Sequence, residues 1–379
     1  MSVAIAQLAN FVGPTSGGVK TALDALGRGY VEAGARRLLV LPGPVDEVVS
    51  DGANRVVQLR GPQVGGGYRL VVEPWRVIEL LTDFGPTSLE LSDKSTFVPL
   101  TSWARRRQLP SVLFSHERLD AMLTLRSGWV RSGWVRGVGH GVGLLYRLLA
   151  RQFDAIVTTS RYAAAEYPLA TQAKVHHVPL GVDLDTFRPA VVRPPRTDGV
   201  LRLVHVGRLS REKSPHLAAR TALALHRRGV PTRLDVYGDG PHRRELEAEA
   251  DGAPVRFHGH LADRSALAAT ISAADVALSV CPGETFGLAV LEALACGVPV
   301  VTADRGGGRE LVDVRCGAWA PPDPEQLADA VLRLAGRDRG ALRRAARERA
   351  ETYPWAASVD AMLHLHRSLA DRCGFSHTD

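Results

Sequence analysis

Two α/β domains built on parallel sheets are predicted for this 379-residue chain, on three observations. Strand-like apolar runs alternate with helical periodicity along the chain, the pattern that places helices on both faces of a parallel sheet. A Pro- and Arg-rich stretch, RPAVVRPPRTDG at 188–199, breaks the alternation once, as a domain boundary does. Beyond it the strand–loop–helix order starts again. The length suits two to three domains, and a 45% hydrophobic content supplies sizeable cores.

The first strand, VAIAQLANF, runs into Gly13-Pro14-Thr15-Ser16-Gly17-Gly18-Val19-Lys20 and then a helix through TALDALGRGYVEAG. A Gly-rich loop at a helix start can seat an anion, although glycines at such turns are also sterically required. Strand RRLLVLPG, helix PWRVIELLTDF, strand SLELSD, helix STFVPLTSWARRRQ and strand SVLFS follow, and the last delivers His116. Ligands of open α/β sheets bind beyond the carboxyl ends of strands, where His116 stands. A lone histidine there is as readily structural.

Residues 126–136 read RSGWVRSGWVR, a tandem repeat with Trp129, Arg131 and Trp134. It reads either as a segment resting on anionic lipid headgroups or as a surface loop whose tryptophans pack on protein. Helix LLYRLLARQF, strand DAIVTTS, helix YAAAEY and strand KVHHVP then lead to Gly181-Val182-Asp183 at the boundary.

In the second half, strand LRLVHVG precedes the basic loop Arg208-Leu209-Ser210-Arg211-Glu212-Lys213 and helix PHLAARTALALHRRG. Arg208 offers a bidentate fork and Lys213 a compact charge, both suited to phosphate; a solvated basic loop is the plainer alternative. Strand RLDVYG, the turn Asp239-Gly240-Pro241, strand VRFHGH, helix RSALAATISAA and strand DVALSV follow. They deliver CPGETFGLAVLEALACGVP at 281–299. There Pro282 and Gly283 break the chain and LAVLEALA begins helical periodicity, putting Glu284 in the loop and Glu292 on the helix. The helix start supplies unpaired N–H groups for a phosphate. Carboxylates repel phosphate, so each glutamate is expected to accept hydrogen bonds from neutral hydroxyls. Together they describe a sugar nucleotide, with hexose and ribose at its ends and diphosphate between. Strand VPVVTAD, a further helix start at Gly306-Gly307-Gly308 and a helical tail complete the chain.

The net charge of +7 fits anionic small molecules or an anionic surface. No finger, helix-turn-helix or RNP pattern indicates nucleic acid. Cys281, Cys296, Cys316 and Cys373 lack metal or disulfide spacing. No apolar run reaches the roughly 18 to 20 residues of a membrane span, and the first residues lack a basic leader, so a cytosolic protein is expected.

The combination GGVK, HVGRLSREKSP, VYGDGP and ETFGLAVLEALACGVPVV, in this order, resembles the retaining family 4 glycosyltransferases of the GT-B fold over nearly the whole chain. NFVGPTSGGVKTALD, SHERLD and VPLGVDLDTFRP are most similar to the actinobacterial mannosyltransferases that use GDP-mannose on phosphatidylinositol mannosides. The resemblance implies two Rossmann-like domains facing across a cleft. Residues 1–182 plus 355–379 form the acceptor side, with the C-terminal helix crossing back, and residues 183–354 the donor side. It implies that Glu284 holds donor-sugar hydroxyls, Glu292 the ribose, and Arg208 and Lys213 the diphosphate. Gly17 and Gly18 would offer backbone N–H groups to that diphosphate, His116 would touch the sugar, and Phe286, Gly287 and Leu288 would line the donor site. The base would lie near Tyr237–Gly240 and His258–Leu261.

With no DxD motif, Arg208 and Lys213 are expected to replace a metal, and no cofactor is expected beyond the nucleotide-sugar co-substrate. The resemblance implies a glycolipid acceptor at the inner face of the cell membrane, or a small-molecule aglycone if the chain is a soluble member using another nucleotide sugar. A non-catalytic sugar-nucleotide sensor is the remaining reading, against which the full donor set argues.

Overall fold

The computed structural model describes residues 3–373, apart from 11, 13–16, 65–67, 117–142, 145, 191–197 and 251. The chain divides into two compact units. One runs up to Pro179 and resumes with the helix from Trp355; the other runs from Leu180 to Pro354.

The first unit is an eight-stranded sheet in the order β3-β4-β2-β1-β5-β6-β7-β8. Its strands are β1 (Ala4–Leu8), β2 (Arg36–Gly43), β3 (Glu47–Asp51), β4 (Asn54–Arg60), β5 (Ser88–Leu91), β6 (Ser111–Ser115), β7 (Ala155–Thr158) and β8 (Val175–His177). All neighbours are parallel except β3 and β4. That hairpin went unread in the sequence, although Asp51-Gly52 between two Val-Val pairs is a turn signal and Gly52 adopts φ +56°. The helix expected from Ser95 starts only at Leu100, because the Asp93 carboxylate takes the N–H groups of Ser95 and Thr96 into a turn and Pro99 follows.

Strands β1, β5 and β6 are wholly buried, as expected of a sheet covered on both faces. Ile5, Leu8, Leu38, Leu89 and Phe114 are fully buried. The C-terminal helix Trp355–Arg372 belongs to this unit. It buries Val359, Met362, Leu363 and Leu369, and Val359 sits where a side chain at Gly29 would stand. Ser358 donates to the Pro179 carbonyl (2.7 Å). His366 reaches Glu90 (3.1 Å) and Ser88 (2.8 Å), and Glu90 also accepts from Tyr30 and Gln7 (both 2.8 Å). A carboxylate with three donors is one that burial tolerates.

The second unit is a six-stranded parallel sheet in the order β11-β10-β9-β12-β13-β14. Its strands are β9 (Leu201–Val206), β10 (Thr232–Tyr237), β11 (Val255–Gly259), β12 (Val276–Ser279), β13 (Val300–Ala303) and β14 (Gly317–Ala320). Strand order reverses between β9 and β12, which pair directly through Val276 with Leu203 and Ala277 with Val204. Such a reversal opens a crevice at the carboxyl ends of the two strands. Their outgoing loops are therefore neighbours in space, however far apart in sequence.

Candidate active site

The loop leaving β9 holds Arg208 and Lys213, and the loop leaving β12 holds Glu284. Their meeting at the sheet reversal is the centre of the site: Lys213 Nζ lies 3.0 and 2.9 Å from the two oxygens of Glu284. The sequence reading gave these residues separate partners on one donor, and the fold joins them. Burial alone would raise the Glu284 carboxyl. The Lys213 ammonium and the N–H groups of Phe286 and Thr285 outweigh it and hold the group below the usual carboxylate range.

The loops themselves are fixed by backbone. Gly207 N–H donates to the Tyr237 carbonyl and Leu209 N–H to that of Asp239 (both 3.0 Å), which explains why GRL and YGDG occur together. A 3₁₀ turn, Arg211–Lys213, follows, and Ser214 takes the left-handed conformation (φ +50°) before helix Pro215–Arg227. Strain of this kind, about 1–3 kcal/mol, is held where surroundings over-determine the backbone. Here the Cys281 thiol donates to the Glu212 carbonyl (3.0 Å), latching the turn that presents Lys213. Burial, aided by the Glu284 charge, pushes that thiol up to about 11, so it remains a neutral donor.

Two glycines are needed at the opposite wall. Gly287 starts helix Leu288–Ala295 at φ +105°, which no bulky residue adopts, and leaves the first N–H groups of the helix without a side-chain cap. Gly307 passes so close to the preceding loop that a Cβ would stand 2.0 Å from the Thr285 carbonyl oxygen. Its N–H donates to the Glu284 carbonyl (2.6 Å). In sequence 306–308 is only another helix start and Cys281 a plain thiol, yet both hold the Glu284 loop through contacts distant in sequence. Phe286 is buried, whereas Leu288 is partly exposed.

Glu292 follows Leu288 by one turn and is paired with Arg264, 3.1 Å away, at the start of helix Arg264–Ala273. Arg264 in turn lies over the Phe187 ring (4.9 Å). Burial pushes Glu292 up to about 7; Arg264 opposes that rise and Asp183 adds to it. Arg347 donates to the carbonyls of Ala295, Phe187 and Leu184 (3.2, 2.9 and 3.2 Å), fixing the helix end against the segment that carries Phe187. Near the proposed base loops, Tyr237 stacks on His258 (4.6 Å, 9°), and His258 bonds Asp235 (2.8 Å).

In the first unit, Gly17 and Gly18 open helix Gly17–Glu32 and are exposed; nothing lies within 4 Å of a Cβ at Gly17. Lys20 pairs with Asp24 on the exposed helix face (2.5 Å), a surface role. His116 stacks on Phe114 (4.4 Å) and lies 3.3 Å from Ser92 Oγ. Burial lowers it to about 4, against the opposing charge of Glu90, so it is a neutral imidazole at physiological pH. Trp129, Arg131 and Trp134 lie outside the described residues.

Two family models match these units: "Glycosyl transferase 4-like domain" over residues 17–181 and "Glycosyl transferases group 1" over residues 201–337. The chain is 37% identical over 380 residues, covering 98% of each protein, to the GDP-mannose-dependent alpha-(1-6)-phosphatidylinositol dimannoside mannosyltransferase of Mycobacterium tuberculosis. The chain belongs to the family 4 glycosyltransferases. It is also 31% identical over 359 residues to a D-inositol 3-phosphate glycosyltransferase of Pseudarthrobacter chlorophenolicus, covering 88% of this chain and 77% of that one.

Among solved structures, sucrose-phosphate synthase of Thermosynechococcus elongatus superposes with TM-score 0.75 at 22% identity, covering 98% of this chain and all of that one. Anabaena HepE, solved with UDP and glucose, gives 0.70 at 16% identity, covering 96% and 99%. The glycosyltransferase therefore has the GT-B fold, two parallel-sheet α/β domains with the final helix packed on the first.

Proposed function

We propose that this glycosyltransferase moves mannose, with retention of configuration, from GDP-mannose to a phosphatidylinositol mannoside at an anionic membrane surface. The observation that carries this reading is the 37% identity spanning 98% of both chains to the mycobacterial dimannoside mannosyltransferase. In the proposed complex Glu284, kept ionised, accepts hydrogen bonds from mannose hydroxyls, and Glu292 accepts from the ribose. Arg208, Lys213 and the N–H groups at the start of helix Leu288–Ala295 hold the diphosphate.

As the glycosidic bond breaks, negative charge grows on the leaving phosphate oxygen, where preorganised donors act most strongly. The acceptor hydroxyl attacks from the face the phosphate leaves, and its proton passes to that phosphate. Lys213 serves two roles in this scheme, counter-ion to Glu284 and donor to the leaving group. The neutral His116 contributes hydrogen bonds to the sugar, not charge.

The similarity to D-inositol 3-phosphate glycosyltransferases supports a second reading, in which the acceptor is a small inositol-type polyol and the donor differs. A donor panel separates them, reading nucleoside diphosphate release with phosphatidylinositol mannoside or inositol phosphate present. The proposal expects release from GDP-mannose with the lipid; release only from a uridine nucleotide with the polyol would replace it.

A further inference from the structure

We propose that the helical residues 143–144 and 146–152 form a docking surface for an anionic lipid bilayer, with Leu144 and Leu148 entering between headgroups and Arg147 and Arg151 engaging their phosphates. The inference deepens the glycolipid-acceptor reading and takes its partner from it, while resting on residues outside the donor site.

Residues 143–144 and 146–152 are helical. Tyr146, Leu149 and Ala150, with Phe153 just beyond, are buried in one core cluster with Leu100, Trp103 and Ala104 of the neighbouring helix Leu100–Arg106. The opposite face is formed by Leu144 and Leu148, 58% and 48% exposed, with Arg147 and Arg151, also exposed. Three- and four-residue spacing brings all four onto one strip.

The C-terminal end of the strip is anchored by side chains from neighbouring elements. Lys174 donates to the carbonyls of Ala150 and Phe153 (3.2 and 2.8 Å), and Arg105 to those of Arg151 and Gln152 (3.1 and 3.3 Å). These cations satisfy the helix end, so it needs neither Arg147 nor Arg151. Arg106 and Arg107 add exposed charge beside it, with Arg107 over the Trp103 ring (4.4 Å). Among the described residues no carboxylate pairs with Arg106, Arg147 or Arg151.

A single exposed leucine is ordinary. Two leucines one turn apart, set among arginines, match what a charged interface with an apolar interior selects, and the nearby Asp154 carboxylate is held by the Ser111 N–H (2.8 Å). Nucleic acid would engage the arginines but leave the leucines in water.

Flotation of the full chain with phosphatidylcholine vesicles, with and without phosphatidylglycerol, tests the surface. The protein should float only with the anionic vesicles, and high salt should weaken that binding without abolishing it, the remainder resting on the two leucines. Arg147→Gln with Arg151→Gln should lower the partition coefficient about 30-fold, and Leu144→Ser with Leu148→Ser should abolish salt-resistant binding. Both variants should turn over a deacylated, water-soluble acceptor normally. Variants that float like the wild type would overturn the surface, even with glycolipid transfer intact. Flotation lost in both variants would uphold it, even if no glycolipid proved to be the acceptor. Binding of the strip to duplex nucleic acid in place of vesicles would also overturn it.

Discussion

At the residue scale, the two glutamates are pushed in opposite directions, Glu292 upward by burial and Glu284 downward by Lys213 despite its burial. Glu292 is raised to about 7, so folding favours its protonated form. Its contribution to stability is complete below the ordinary carboxyl value of about 4 and is lost as pH rises through 7. The ionised form is the better acceptor for ribose hydroxyls, so GDP-mannose should bind more tightly at pH 8 than at pH 6. Calorimetric titration checks this, with Glu292→Gln expected to flatten the dependence. The nucleotide sugar is the right ligand, because the terminal phosphate of GDP itself titrates near about 6. Lys213→Ala removes the cation that keeps Glu284 ionised. Steady-state kinetics should show kcat/KM falling about 10²–10³-fold, with the acid limb of the pH–rate profile moved upward. An unchanged limb would separate Glu284 from catalysis.

At the element scale, the site depends on loops pressed together where strand order reverses. Gly307→Ala forces Thr285 away, since the added Cβ would meet its carbonyl oxygen at 2.0 Å. The expected cost is about 1–3 kcal/mol, read as a lower Tm, with transfer reduced more than stability alone explains. Much of this neighbourhood was legible in sequence: the loops after β9 and β12 could be named because apolar strands run straight into basic and acidic turns. What was not legible was contact. Cys281 reads as an inert buried thiol until the fold brings it under the Glu212 carbonyl, and Arg264 reads as a helix-start charge until Glu292 arrives from another helix. Local periodicity carries no information on such pairs.

For the whole molecule, the two-domain architecture was readable from the restart of alternation after the Pro-rich stretch. The β3–β4 hairpin, with β3 exposed and β4 half-buried, was not, since its strands lack the continuous apolar runs of buried parallel ones. The final helix ties the end of the chain to the first unit through a fully buried Glu90–His366 contact. Ending the chain after Pro354 would uncover Val359, Met362, Leu363 and Leu369 partners and remove one of the donors to Glu90. Differential scanning calorimetry should then show the first unit unfolding at least about 10 °C earlier, with the second unit's transition retained.

The central claim is that the Lys213–Glu284 pair at the sheet reversal positions a mannosyl donor for transfer to a glycolipid. Incubation with GDP-mannose and phosphatidylinositol dimannoside, with the lipid product read by mass spectrometry, tests it most directly. The account predicts a glycolipid extended by one hexose with the wild type and none with Glu284→Ala. An unextended lipid with the wild type, or equal extension by the variant, would contradict it.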